Sequence, residues 1–268
     1  MQTDPTARPH SRVAGDAALA RELADAAGRL LLELRAATGF ADAAALKSAG
    51  DRASHELLVA RLAELRPGDV VLSEEGADDL ARLTADRVWI VDPLDGTREF
   101  GEDGRTDWAV HVALWERGEL TAGAVALPAR GVTLATDTPP VRPVVADRPP
   151  RLAVSRTRAP AFIADLAATL GAELVPMGSA GMKVAAVVLG EVDGYVHSGG
   201  QYEWDSAAPV AVARAAGLHT SRLDGSPLVY NQTDPLLPDL IVCTTPLAPA
   251  ILDAVRTTGE TPRTGETQ

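Results

Sequence analysis

The segment WIVDPLDGT ends an apolar run on two aspartates, Asp92 and Asp95, which are three positions apart. Pro93 stiffens the turn between them, because its ring fixes φ and it has no N–H group. We therefore predict that both carboxylates project to the same side. A helix that begins at Gly96 and Thr97 would present free N–H groups to a phosphate, and the Thr97 hydroxyl could orient a water molecule.

Further carboxylates end apolar runs elsewhere in the chain, namely Asp51 in SAGD, Glu74 and Glu75 in VLSEE, and Asp205 in EWDSAAP. Carboxylates that converge on one pocket repel one another and raise their own pKa values. A hard cation such as Mg²⁺ removes this conflict, because it prefers oxygen ligands and keeps several waters. Metal, water and phosphate together predict metal-assisted hydrolysis of a phosphate ester.

Several of these acids also have a purely structural interpretation. Asp95 and Gly96 are typical of a surface turn, and Glu75 is expected to be solvated. An Asp51 that precedes a helix is most simply its N-cap. The complete motif DPLDGT after four apolar residues nevertheless favours the functional interpretation.

Histidine and aromatic residues near these acids have mainly structural interpretations. His111 alternates with apolar neighbours in a predicted strand and is predicted to be a structural histidine. Trp89 and Trp204 are expected to pack behind the site. His197 and Tyr202 flank the EWDS segment, and for them both lining of the pocket and simple packing remain open.

Composition excludes several classes of protein. The 268 residues are 46% hydrophobic and 23% charged, which is typical of a globular chain. Acidic residues outnumber basic ones by 37 to 25, and a net charge of -12 repels nucleic acid polymers and anionic membranes. The single cysteine, Cys243, permits no intrachain disulfide and no cysteine-based zinc site. Since no apolar run approaches the length of a membrane span, we expect a cytoplasmic protein without membrane insertion.

Along the chain, the spacing of apolar residues predicts helices first, then strands, and then an alternation of helices and strands. The predicted helices cover residues 16–38, 51–65, 160–171, 180–190, 205–216 and 246–256. The predicted strands cover residues 70–75, 88–92, 108–115, 120–127, 131–137, 152–155, 173–177, 193–198 and 239–244.

These elements predict two subdomains. An N-terminal α+β subdomain over residues 15–137 would carry most metal ligands, and a C-terminal α/β subdomain over 152–257 would carry Asp205. A proline-rich crossing over residues 138–151 would join them, and disordered tails would cover residues 1–14 and 258–268.

The motifs WIVDPLDGT and WDSAAP, in this order and with Glu74 upstream, resemble the signature of the inositol monophosphatase superfamily. The resemblance spans residues 15–257. Members are Mg²⁺-dependent, lithium-sensitive phosphatases. The resemblance implies an α+β or α/β fold, a layered α-β-α-β-α sandwich of the inositol monophosphatase or sugar phosphatase type. It also implies two Mg²⁺ ions per subunit, or three.

The resemblance implies metal-ligand roles for five residues. The first metal would bind Glu74, Asp92 and the backbone carbonyl of Leu94. The second would bind Asp92, Asp95 and Asp205. Lithium would inhibit by occupying this second site.

Catalytic roles are implied for three residues. Glu74 and Thr97 would position a metal-activated water that attacks phosphorus in line, without a phosphoenzyme. Asp51 would support this step through a third, weaker metal. Gly96 and Thr97 would contact the phosphate.

Glu203 before the Trp-Asp pair, the REF that follows DGT, and the segment GSAGMK resemble the CysQ branch of the superfamily. Those enzymes remove the 3′-phosphate from 3′-phosphoadenosine 5′-phosphate (PAP), a by-product of sulfate assimilation. The implied substrate-binding residues are Asp95, Gly96, Thr97, Gly178, Ser179, Lys183 and Asp205. A plain helix cap remains an alternative for Gly178 and Ser179, and a lysine that snorkels from a helix remains one for Lys183.

Other substrates and functions stay open from the sequence. The same metal chemistry would suit the corresponding phosphosulfate (PAPS), fructose bisphosphate or inositol phosphates. A phosphate-binding protein without turnover and a structural module are the remaining alternatives, although every acid that the chemistry needs is present. The resemblance favours a monomer or a homodimer.

Overall fold

A computed structural model describes residues 9–141, 148–157, 159 and 161–258 of the chain. The first sheet in this part of the chain has the strand order β1-β2-β3-β4-β5. Its strands are β1 (Val70–Ser73), β2 (Arg87–Asp95), β3 (Ala109–Glu116), β4 (Glu119–Leu127) and β5 (Val132–Ala135). β1 runs parallel to β2, and the later pairs are antiparallel.

The second sheet has the order β7-β6-β8-β10-β9. Its strands are β6 (Arg151–Ser155), β7 (Glu173–Met177), β8 (Gly194–Tyr202), β9 (His219–Ser221) and β10 (Leu236–Cys243). β6 is parallel to both β7 and β8, whereas β10 is antiparallel to β8 and β9. Each sheet therefore takes its strands from one half of the chain, and the predicted subdomain boundaries stay a prediction.

Helices cover both sheets and fill the space between them. They are α1 (Pro9–Thr38), α2 (Ala43–Leu65), α3 (Thr97–Phe100), α4 (Ile163–Leu170), α5 (Ala180–Val188), α6 (Glu203–Ala215) and α7 (Ala248–Thr258). The outer face of the first sheet packs on α1 and α2, and that of the second on α4 and α7. α5 and α6 lie between the sheets, which gives the predicted α-β-α-β-α sandwich.

Strand β2 shows why this order of layers forms. Its alternate residues face opposite sides of the sheet. Val88 and Ile90 pack in the middle layer, whereas Trp89 and Val91 pack beneath α1 and α2. Because both faces are covered, the strand is apolar without interruption from Val88 to Val91.

Helix α5 is buried on every side. All nine of its residues, AGMKVAAVV, are buried between the sheets. A helix that is apolar all round belongs in an interior, and small side chains allow it to approach both neighbouring layers. Lys183 is the exception in this sequence, and its ammonium group lies at the pocket described below.

The structure corrects several predicted boundaries. α1 begins at Pro9, so residues 9–14 are helical and not a tail, whereas residues 1–8, 142–147 and 259–268 lie outside the described residues. α2 begins at Ala43, with Asp42 as the N-cap that accepts a hydrogen bond from the Ala45 N–H group. The predicted start at Asp51 was wrong, because the buried face of the helix continues from Leu46 through Gly50 and Ser54, whose side chains give no apolar period in the sequence.

Several strands also differ from prediction, among them β2, which continues to Asp95, and β10, which begins at Leu236. β8 continues to Tyr202, and the short edge strand β9 was not predicted. No helix among the described residues is long and apolar enough to cross a membrane.

Candidate active site

The end of β2 delivers two carboxylates to one place, as the DPLD spacing predicts. The pairing with β3 is interrupted between Asp92 and Asp95, and the Leu94 N–H group donates to Asp92 Oδ1 at 3.0 Å. Gly96 then turns the chain at a φ of 84°, a left-handed conformation that favours glycine, and the single turn α3 begins at Thr97. The predicted helix start is confirmed, although the helix is only one turn long.

A third carboxylate comes from the other half of the chain. Asp205 stands in the first turn of α6, where its Oδ2 accepts a hydrogen bond from the Tyr202 N–H group at 2.7 Å. Ligand oxygens of Asp92, Asp95 and Asp205 all lie within 4.8 Å of one another. Three of the predicted metal ligands therefore meet in space.

Glu74 and Leu94 lie at the same pocket. The pocket has a volume of about 380 Å³, and both residues line it together with the three aspartates. Glu74 is exposed as a residue, yet its carboxylate interacts with Asp92 and Asp205. The assignment of all five as ligands stays a prediction.

The carboxylates of this cluster repel one another. Burial, and then the charge of Glu74, raises the pKa of Asp92 well above its usual range. Burial and Asp95 raise the pKa of Asp205 to about 6. Burial and Asp205 raise the pKa of Glu74 to about 7, an effect that solvent screens in part because the residue is exposed.

Asp95 is the member of the cluster that stays ionised. Burial acts to raise its pKa, but His111 and the backbone outweigh that effect and hold the pKa below its usual value. The N–H groups of Ala180 and Gly181, at the start of α5, donate to its two oxygens at 3.1 and 2.5 Å. His111 Nε2 lies 3.2 Å from Asp95 Oδ2.

The donor set fits a hard divalent cation. Every donor atom is an oxygen, and Asp92 and Asp95 are only 1% and 6% exposed. Repulsion from neighbouring carboxylates contributes to the raised pKa values of Asp92 and Asp205. A cation would remove this repulsion, and Mg²⁺ and Ca²⁺ are the ions that oxygen-only sites favour. The chemistry of these donors therefore fits a site that could hold a metal ion.

This repulsion predicts a pH-dependent response to Mg²⁺. Because the folded pKa values of Glu74, Asp205 and Asp51 are raised, the metal-free native state holds extra protons and loses stability as pH rises from about 4 to about 7. The raised pKa of His111 acts in the same direction. Mg²⁺ needs the ionised carboxylates, so its stabilising effect should grow over this range.

We expect Mg²⁺ at 100 times its Kd to stabilise the fold by about 2.7 kcal/mol at pH 8. At about 2–4 °C per kcal/mol, the melting temperature would rise by about 5–10 °C, and at pH 5.5 by less than half as much. Thermal melts with MgCl₂, and with NaCl at matched ionic strength, measure this. An equal Mg²⁺ effect at both pH values would contradict the expectation.

Thr97 and Asp51 meet beside the pocket. Thr97 Oγ1 lies 3.0 Å from the carbonyl oxygen of Leu94 and 3.3 Å from Asp51 Oδ1. Since the single hydroxyl proton already has two acceptors, the Thr97 oxygen is left to accept a hydrogen bond at the pocket. Asp51 lies inside α2, so its N-cap interpretation was wrong. Burial and the charge of Glu75 raise the pKa of Asp51 to about 6.

The predicted substrate-binding residues of α5 also line the pocket. Ser179 Oγ accepts a hydrogen bond from the Met182 N–H group at 2.9 Å, which confirms the helix-cap alternative for this residue. The Gly178 N–H group donates to Asp107 Oδ2 at 2.5 Å. Lys183 is buried and donates to the carbonyl oxygens of Gly178 and Ser179, so the snorkelling alternative was wrong.

His111 has a structural role, as predicted, but one that bears directly on the site. It is fully buried, and its Nδ1 lies 3.0 Å from the carbonyl oxygen of Trp204. It opposes Asp92 across the β2–β3 ladder and reaches Asp95. The contact with Asp95 follows from the register of β2 and β3, which the sequence alone does not give.

The aromatic residues behave largely as predicted. Trp89 is buried and donates to Asp69 Oδ2 at 2.9 Å, and Trp204 packs against the middle-layer core. His197 lines the pocket. Tyr202 stacks on Trp204 with ring centroids 4.8 Å apart.

Sequence reasoning gave no site role to two arginines that line the pocket, although it singled out the REF segment that contains the first. Arg98 lies next to Thr97, and Arg156 follows the end of β6. Arg156 Nε donates to Glu99 at 2.7 Å, and its Nη2 donates to Glu102 at 2.7 Å. The position of Arg156 at the end of a predicted strand was the available signal.

Comparison with known proteins identifies the class of protein. The sequence model of the inositol monophosphatase family matches residues 15–139 and 143–258. The chain therefore belongs to the inositol monophosphatase family and is a metal-dependent phosphatase. The predicted family, layered fold and enzyme class are confirmed.

Two named relatives and one solved structure are similar to this chain over most of its length. A protein of Mycobacterium leprae (strain TN) called 3′-phosphoadenosine 5′-phosphate phosphatase is 55% identical over 253 residues, covering 90% of this chain and 93% of that protein. The 3′(2′),5′-bisphosphate nucleotidase CysQ of Escherichia coli (strain K12) is 32% identical, covering 71% and 81%. The crystal structure of CysQ from Bacteroides thetaiotaomicron has a TM-score of 0.73 and 29% identity, covering 86% and 97%.

Proposed function

We propose that this enzyme removes the 3′-phosphate from PAP in a Mg²⁺-dependent reaction, which yields AMP and phosphate. The observation that carries the proposal is the cluster of Asp92, Asp95 and Asp205 at one pocket. The names of the relatives at 55% and 32% identity support the choice of substrate. We place the reaction in sulfate assimilation in the cytoplasm, carried out by a monomer or homodimer.

The proposed metal ligands are Glu74, Asp92, the carbonyl of Leu94, Asp95 and Asp205, which would hold two Mg²⁺ ions. When bound, these ions would lower the pKa of a water molecule and balance the charge of the phosphate oxygens. Asp51 would hold a third ion of lower affinity.

The chain's own groups would orient the attacking water. The Thr97 oxygen is left to accept one hydrogen bond, because its proton is shared between Leu94 and Asp51. Glu74 would accept the second hydrogen bond from the same water. Gly96 and Thr97 would contact the phosphate that is attacked.

Two arginines that line the pocket support a substrate with two phosphates. Arg98 is exposed and forms no salt bridge within the described residues, and Arg156 is held in orientation by Glu99 and Glu102. A guanidinium group is well suited to phosphate, because its planar N–H donors match the oxygens. A monophosphate would leave these groups unused. Lys183, Gly178 and Ser179 would lie beside the nucleoside.

Phosphate release decides between the candidate substrates. We expect kcat/KM for PAP to exceed that for inositol monophosphate by about 100-fold or more, because polar sites reject substrates that leave their groups unpaired. Fructose bisphosphate carries two phosphates as PAP does, and for it we expect a lower kcat/KM than for PAP on the names of the relatives. Lithium should inhibit the PAP reaction. The assay uses equal concentrations of the three compounds and PAPS, with Mg²⁺, with and without lithium, and with a chelator as control.

The other outcomes are equally informative. Comparable or higher rates on the sugar phosphates would keep the metal chemistry and overturn the substrate. Release from none of the compounds would contradict the proposal and favour a phosphate-binding protein without turnover.

A further inference from the structure

Glu203 holds a loop of the second half of the chain. It stands in the first turn of α6 and is only 1% exposed. Its two carboxylate oxygens accept hydrogen bonds from the N–H groups of Asn231 and Gln232 at 2.6 and 2.7 Å. The carboxylate is therefore committed to the backbone of residues 231–232.

Arg82 holds the same loop from the first half of the chain. Its side chain is fully buried and forms a two-pronged ion pair with Asp78 at 2.6 and 2.9 Å. It also donates to Asn231 Oδ1 at 2.9 Å and to the carbonyl oxygen of Gln232 at 2.8 Å. Asn231 returns a hydrogen bond from Nδ2 to the carbonyl oxygen of Arg82 at 3.0 Å.

These contacts join the two sides of the metal site. Arg82 lies eight positions after Glu74, and Glu203 lies two positions before Asp205. Glu74 and Asp205 belong to different halves of the chain and lie at the same pocket. The loop with Asn231 at its centre is bonded to both segments that carry them.

We propose that Arg82, Asn231 and Glu203 are positioning residues that set the separation of Glu74 and Asp205 and so tune the affinity for metal. This inference rests on the proposed metal site. A buried network of this kind resists displacement, because any shift would leave a buried charge or N–H group unpaired. Replacing groups that hydrogen-bond to metal ligands commonly changes metal affinity by about 10- to 100-fold, and we take this range as the scale for a network that acts through the segments carrying Glu74 and Asp205.

Two substitutions separate geometry from charge. Arg82→Lys keeps the positive charge but loses the planar fork that reaches Asp78 and the loop together. Glu203→Gln keeps the shape but places an NH₂ group against a backbone N–H donor. If either variant does not fold, Asn231→Gly serves, because glycine accepts the left-handed φ of 61° while losing both side-chain bonds.

A matched control exists elsewhere in the fold. Arg222 forms a similar two-pronged pair with the buried Asp239 at 2.8 and 2.7 Å, between the strand β10 and the turn after β9. Neither residue lines the pocket. Arg222→Lys should lower the melting temperature of the metal-free protein as Arg82→Lys does, but should leave Mg²⁺ binding unchanged.

The experiment measures Mg²⁺ affinity by calorimetry without substrate, and by the Mg²⁺ dependence of PAP hydrolysis. We expect Mg²⁺ binding about 10- to 100-fold weaker in the Arg82 and Glu203 variants, with kcat at saturating Mg²⁺ nearly unchanged. Mg²⁺ dissociation constants equal to that of the wild type would overturn this inference but leave the metal site itself intact. An equal loss of Mg²⁺ affinity in Arg222→Lys would also overturn the inference, because the loss would then be a general effect of destabilisation. A wild-type protein that binds no Mg²⁺ would overturn the metal site itself.

Discussion

Replacing Asp95 with asparagine is expected to abolish phosphate release. Asp95 is the carboxylate that the fold keeps ionised, through the N–H groups of Ala180 and Gly181 and through His111. An asparagine would remove the charge and turn an NH₂ group towards one of these donors. Metal ions supply several kcal/mol of transition-state stabilisation, and a loss of about 4 kcal/mol lowers the rate by about 10³-fold.

The measurement is kcat/KM for PAP at several Mg²⁺ concentrations, with Asp86→Asn as the matched control. Asp86 is exposed and pairs with the equally exposed Arg117, so its variant should keep wild-type activity. Thermal melts of the metal-free proteins show whether the variants are folded. An unchanged rate in a folded Asp95→Asn protein would refute the assignment of Asp95 as a metal ligand.

Replacing Gly181 with alanine, which adds a single methyl group, should inactivate the same site. A Cβ atom there would lie 2.0 Å from His111 Nε2 and 3.0 Å from Asp95 Oδ2. His111 is fully buried and cannot swing into solvent. Overpacking of this kind costs about 1–3 kcal/mol. Because a displacement of about 1 Å can cost about 10²-fold in rate, we expect Gly181→Ala to lose activity by at least that factor.

Gly15→Ala is the matched control for this substitution. Gly15 also lies within a helix, α1, but a Cβ there meets no atom within 4 Å. Alanine is favoured over glycine in a helix by about 0.5–1 kcal/mol, so this variant should be slightly more stable and fully active. The test compares kcat/KM and melting temperature for both variants. Normal activity in Gly181→Ala would show that the packing of His111 against Asp95 does not matter for catalysis.

Local sequence patterns were sufficient for most of the elements. The uninterrupted apolar run of β2 follows from a sheet that is covered on both faces, and its end at Asp92 places two carboxylates by short-range geometry alone. A helix was predicted over residues 180–190, and α5 forms there with all nine of its residues buried. Where the pattern was weak, as over residues 43–50 at the start of α2, the prediction failed.

Contacts between distant parts of the chain decided the rest. The sequence by itself determined that Asp92 and Asp95 end an apolar run and that Asp205 precedes one, together with the class of chemistry that such acids serve. Only the tertiary structure brought Asp205 to the other two, buried Lys183 against backbone carbonyls, and joined Arg82 to Glu203 through one loop. The reason is physical, because periodicity reports which face of an element is buried, whereas the partner of a buried polar group depends on how whole layers pack.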